Sequence, residues 1–111
     1  MEKMITISNK NYKMKASAWT QFSYKNDTGR SFLSDLQALS KLEKKIEKDL
    51  GLLDEVTELV LKIAYTMIKE ADKTQVESYE AFLGGIDNLY DDSNWIHEVI
   101  QLGCSPIYGR L

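Results

Sequence analysis

One cysteine, one histidine and one proline stand in 111 residues, and each scarcity removes a class of chemistry. With Cys104 alone, an internal disulfide and a cysteine-built zinc site are both excluded. His97 has no second histidine or cysteine cluster to complete a metal set, and the same shortage undermines a nucleophilic triad. Cys104 also lacks a glycine-rich oxyanion loop, so it reads as an inert thiol. Long apolar runs are missing too. No stretch approaches the roughly 20 residues that span a bilayer, and the opening MEKMITISNK carries no apolar signal region. A cytosolic protein without a membrane helix is expected.

The remaining candidates for chemistry are weak. Gly84 and Gly85 lack the spacing and preceding strand of a phosphate loop, and Asp87, Asn88, Asp91 and Asp92 lack the spacing and glycine of a calcium loop. Asp91 and Asp92 are neighbours in a turn, where side chains diverge, so capping explains them better than acid–base work. No cofactor or metal is implied, and an enzyme is not expected.

What is present is enough for one domain. Apolar residues make up 43% of the chain, sufficient for a modest core. Net charge is -3 but unevenly placed: residues 1–30 hold six Lys or Arg against two acids, the remainder eight against fifteen. Dispersed surface charge accounts for this, with head-to-tail association or an oppositely charged partner as the sharper reading. Nucleic acid is a poor fit, because the chain is acidic and the segment after Gly51 opens Leu52, Leu53, Asp54, Glu55, which would face phosphates.

Residues 4–8 and 12–17 alternate apolar and polar around Asn9, Lys10 and Asn11, which predicts a hairpin with Ile5, Ile7, Tyr12 and Met14 on its apolar side. Ser17 or Thr20 can open a short helix that residues 26–29 would close. Within it Trp19 and Phe22, three apart, read as core first, with a groove on a partner as their second role. A further helix starts near Ser31 or Ser34 and carries Leu36, Leu39, Leu42, Ile46 and Leu50. The clearest period is Leu52, Val56, Leu59, Val60, Ile63, Ala64, Met67, Ile68 and Ala71, the central helix, with Leu61 and Tyr65 widening its apolar surface.

Residues 78–100 contain two more amphipathic patterns. Tyr79, Phe82, Leu83, Ile86, Leu89 and Tyr90 share a stripe, begun by Ser78 or by a capping box at Thr74 and Glu77. Gly84 and Gly85 inside that stripe cost a helix roughly 1 kcal/mol each against Ala, so close packing or a kink must justify them. After the turn at residues 91–94, Trp95, Ile96, Val99, Ile100 and Leu102 form a helix of about nine residues, too short to stand alone. Gly103 would stop it, and Pro106 would leave an extended, flexible end.

In order, the chain offers ITI and YKMKAS around a turn, WTQFSYKNDTGRSFLSDL, the long helix containing IAYTMIKEAD, then SYEAFL, WIHEVI and SPIYGR. This series resembles the small tail assembly chaperones of long-tailed phages and prophages of Gram-positive bacteria. The resemblance spans most of the chain and rests on order and pattern, since none of these segments is catalytic. It implies a protein that keeps the long tape measure protein soluble, recruits tail tube subunits around it and then leaves. It also implies a longer form made by ribosomal frameshifting. A structural tail component, such as a completion or connector subunit, and a small helical DNA-binding regulator are the other readings.

Together these readings predict one mainly α (α+β) domain: a β-hairpin over 1–17, four or five helices over 18–103 and an extended tail over 104–111. The expected partner surface, for tape measure protein or a second copy, is Trp95, Ile96 and Ile100 on the last helix, with Trp19 and Phe22 as further candidates.

Overall fold

Alternation at the front of the chain does produce a two-stranded antiparallel hairpin, β1 (Glu2–Ile7) and β2 (Lys10–Lys15). The computed structural model describes residues 1–43, 45, 51–90, 92 and 94–108. Ile5, Ile7, Tyr12 and Met14 are all buried, as the pattern requires. The turn differs: Ser8 and Asn9 alone make it, with φ of 52° and 69°. Two successive left-handed residues match the right-handed twist of the strands, so Lys10 and Asn11 are free to pair in β2. Met1 and Ala16 extend the ladder by one reciprocal pair of hydrogen bonds.

The two edges of the ribbon are not alike. Lys13, whose backbone faces away from β1, donates its amide to Gln75 Oε1 at 2.8 Å, and its carbonyl accepts from Gln75 Nε2 at 2.8 Å. That side-chain amide stands in for a third strand.

Five helices follow: α1 (Ala18–Thr28), α2 (Phe32–Glu43), α3 (Leu52–Ala71), α4 (Tyr79–Gly84) and α5 (Asn94–Tyr108). Ser17 caps α1 in a capping box with Thr20, and Gly29, at φ 74°, closes it by donating to the Lys25 carbonyl. Leu36 and Leu39 of α2 are buried, while Ile46 and Leu50 lie outside the described residues. The central helix runs as its period predicts, about 30 Å long at 1.5 Å per residue. Val56, Val60, Leu61, Ile63, Ala64, Met67 and Ile68 are buried between the hairpin on one side and α2 and α5 on others. Tyr65 is half-buried and stacks at 6.0 Å on Phe82.

Two expectations about the carboxyl-terminal half are corrected. The stripe through Tyr90 is not one helix: α4 is capped by Ser78, not Thr74, and stops at Gly84. Phe82 pins it edge-on to Tyr12 at 5.4 Å, and a side chain at Gly85 would crowd Lys10 Nζ at 3.0 Å.

The segment after Gly103 is not extended. Helix α5 runs through Gly103 and Pro106 to Tyr108, and residues 109–111 lie outside the described ones. Gly103 sits where helices meet, its missing Cβ falling 3.4 Å from Phe32 and 3.5 Å from Leu36. Pro106 has no N–H for the Leu102 carbonyl one turn back, and the Ser105 hydroxyl donates to that carbonyl instead at 2.6 Å.

Candidate functional site

Helix α1 turns an unexpected face to the core. Eleven residues at 100° per residue put Thr20 and Tyr24 on one side and Trp19 and Phe22 on the other, and it is Thr20 and Tyr24 that are buried. Both carry hydroxyls that need partners when desolvated, and both have them. Thr20 Oγ1 donates to Glu70 Oε1 at 2.6 Å, beside Ser17 Oγ on Glu70 Oε2 at 2.7 Å. Tyr24 Oη donates to Asp35 Oδ2 at 2.6 Å, and Arg30 grips the same carboxylate through Nε at 2.8 Å and Nη2 at 2.9 Å.

That carboxylate titrates below the usual aspartate range. Burial alone would push it up, but the hydrogen bonds from Arg30 and Tyr24 and the Arg30 charge together outweigh burial. Tyr24 moves the other way, driven up by burial and then by its bond to the Asp35 anion. These groups fasten α1 to α2 and leave no room for Trp19 or Phe22 inside.

Trp19 and Phe22 therefore stand in solvent, 61% and 59% exposed, which overturns their reading as core. Next to them Ser17, Ala18 and Gln21 form one wall of a half-open cleft of about 290 Å³, completed by Phe32 and Leu33 at the start of α2 and by Pro106 and Ile107 near the end of α5. Leu33 is itself exposed. The cleft exists because α5 continues past Gly103, where the sequence pattern predicts an extended end.

The other predicted partner residues are placed differently. Trp95, Ile96 and Ile100 are 2%, 6% and 5% exposed. Trp95 donates its indole N–H to the Leu89 carbonyl at 3.0 Å. Helix α5 packs on α1, α2, α3 and β1, so Trp95, Ile96, Val99, Ile100 and Leu102 are all covered by their own chain. They belong to the core and offer no surface to a partner in this fold.

Among the described residues, no group of three or more His, Cys, Asp or Glu is arranged to hold a metal ion. Cys104 is buried, and burial followed by the Glu43 charge pushes its thiol up, which opposes the nucleophilic thiolate. His97 lies on the surface with Nδ1 3.0 Å from Glu43 Oε1. Two further clefts meet at Lys62: one lies among Asp27, Thr28, Tyr65, Thr66 and Tyr79, the other among Arg30, Ala38, Leu42, Glu55, Glu58 and Leu59. Their charges are largely matched, Lys62 with Glu58, Asp27 with Lys69 and Arg30 with Asp35. No helix among the described residues is long and apolar enough to cross a membrane.

No protein family, curated protein or solved structure matches the chain. What stands is the fold itself, a mainly α domain with a hairpin against its helices, and one exposed aromatic face beside an apolar cleft.

Proposed function

We propose that this chain is a non-catalytic binding protein, a phage tail assembly chaperone that covers the tape measure protein in the host cytoplasm and recruits tail tube subunits to it. One observation supports the binding reading above the others: two large aromatic side chains, Trp19 and Phe22, are held in water on a helix fixed at both ends. A tryptophan and a phenylalanine facing solvent together carry an apolar exposure that a partner can remove, and aromatic anchors beside a pocket are the residues that dominate interfaces. The resemblance in segment order supplies the identity of the partner. A long client with an apolar stripe needs that stripe covered until tube protein replaces the cover, and weak contacts repeated along it sum by avidity.

The test is coexpression of the chain with the tape measure protein from the same gene cluster, comparing wild type with Trp19→Ser/Phe22→Ser. Wild type should keep the tape measure protein in the soluble fraction and copurify with it, and the double variant should not. A client equally soluble with both, or insoluble with both, would refute the reading.

A further inference from the structure

The backbone of β1 turns one row of groups away from the molecule. Met1 and Ala16 exchange both of their hydrogen bonds, so the alternation of an antiparallel ladder assigns the other inward pairs to Lys3–Met14, Ile5–Tyr12 and Ile7–Lys10. Glu2, Met4 and Thr6 lie between them and point their amides and carbonyls outward. All three residues are exposed, and no hydrogen bond among the described residues uses those backbone groups. Opposite Met4 on the β2 flank, Lys13 is held at both its amide and its carbonyl by Gln75. The open edge is β1, and open strand backbone is matched by another extended strand.

The side chains along this edge indicate which strand. Antiparallel pairing of β1 with itself, about a two-fold axis at Met4, sets Met4 against the copy's Met4 and Glu2 against the copy's Thr6. Every outward amide and carbonyl of Glu2, Met4 and Thr6 then gains a partner. Met4 is 57% exposed, the apolar centre of the edge, and its twin covers it. The charges agree with this register. Glu2 meets an uncharged threonine, Lys3 stands opposite the copy's Ile5, and its ammonium already has Glu98 at 3.7 Å. An axis at Lys3 would set two ammonium groups against each other. An axis at Ile5 would bring Glu2 opposite the copy's Ser8, where the left-handed turn has left the strand.

We infer that β1 pairs antiparallel with β1 of a second copy, centred on Met4, so that two hairpins form one continuous sheet in a two-fold dimer. The inference stands on the strand edge and depends neither on the chaperone reading nor on the Trp19–Phe22 face.

The purified chain is the probe. Sedimentation velocity should show a monomer–dimer equilibrium over roughly 10–1000 μM, the transient class to which a joint of one strand belongs. The amides of Glu2, Met4 and Thr6 should exchange with solvent severalfold more slowly as concentration rises through that range, whereas the Lys13 amide, already bonded to Gln75, should not respond. In a mixture of isotope-labelled and unlabelled chains, an intermolecular nuclear Overhauser contact should join the Lys3 and Ile5 α-protons. Two residues apart on one extended strand lie about 6.6 Å away, so a strong contact between these protons arises only across the joint. Met4→Lys sets like charges at the axis and should remove the dimer, while its melting temperature holds because the side chain is exposed. Glu2→Pro deletes an outward donor without touching the hairpin's own bonds and should weaken association about tenfold.

A chain that stays monomeric up to about 1 mM overturns the inference. So does a dimer that lacks the Lys3–Ile5 contact, or one that survives both Met4→Lys and Glu2→Pro. A dimer removed by Trp19→Ser/Phe22→Ser instead would place the second copy on the aromatic face and refute the strand joint. A dimer with the expected contact, in a chain that leaves tape measure protein insoluble, would sink the chaperone reading and sustain this one.

Discussion

Tyr24 and Asp35 meet in the core at 2.6 Å, hydroxyl to carboxylate, with the Arg30 guanidinium closing the other side. The contact joins α1 to α2 and decides which face of α1 looks outward.

Breaking it should therefore loosen the fold. Tyr24→Phe leaves the ring in place but deprives a charged acceptor of its donor, and should cost about 1.5–3 kcal/mol in urea unfolding. Asp35→Asn should cost a similar amount or more at neutral pH. Because folding lowers the Asp35 pKa, its contribution is present above the ordinary aspartate value and is lost as pH falls through the folded one. The stability gap between wild type and Asp35→Asn should narrow from roughly pH 4 downward. A gap that is constant from pH 7 to pH 3 would show that the carboxylate is not held as an anion.

Val60 is fully buried halfway along α3. Val60→Asp places a charge there with no partner, and the cost of about 3–5 kcal/mol is enough to unfold a domain of this size. Circular dichroism at 25 °C should show lost helix. A cooperative melt within a few degrees of wild type would contradict the packing.

Trp19→Ser and Phe22→Ser should leave the fold intact. Residues this exposed contribute little to folding, so the pair should change stability by less than about 1 kcal/mol. Thermal melts check this directly, and a large drop would place the two aromatics in the core after all.

Gly103 separates two effects of size. Gly103→Ala puts a methyl at ordinary contact distance from Phe32, Leu36 and Ile63 and removes a helix-interior glycine, so stability should hold or rise by up to about 1 kcal/mol. Gly103→Ile should overpack the same junction and cost about 1–3 kcal/mol. Equal melting temperatures for the two variants would mean that the helices are not in close contact there.

Most of the framework is legible in the sequence. The hairpin face and the full length of α3 follow from periods of two and 3.6 carried by strongly apolar residues, and both are as read. Three features escaped for physical reasons. The face of α1 was misjudged because burial went to Thr20 and Tyr24, whose hydroxyls are satisfied by Glu70 and Asp35, partners distant in sequence or on another helix. Helix α5 was cut short because glycine and proline read as stops, while Ser105 and the contact at Gly103 keep it going. Trp95, Ile96 and Ile100 looked too numerous for one docking side, but four elements of the same chain surround them. The candidate site is made of the first two errors: an outward α1 and a prolonged α5.

The amide of Gln75 has a consequence for how such chains could assemble. By occupying the backbone of Lys13, it blocks the β2 flank at its middle, whereas Glu2, Met4 and Thr6 face outward along β1. A ribbon that can accept neighbours on both flanks can polymerise without limit; one sealed on a single flank cannot. If two hairpins joined through β1, each would present its blocked flank to the outside, and growth would end at the pair. One glutamine, placed in a loop far from the strands in sequence, thus stands in the way of open-ended strand addition on that flank.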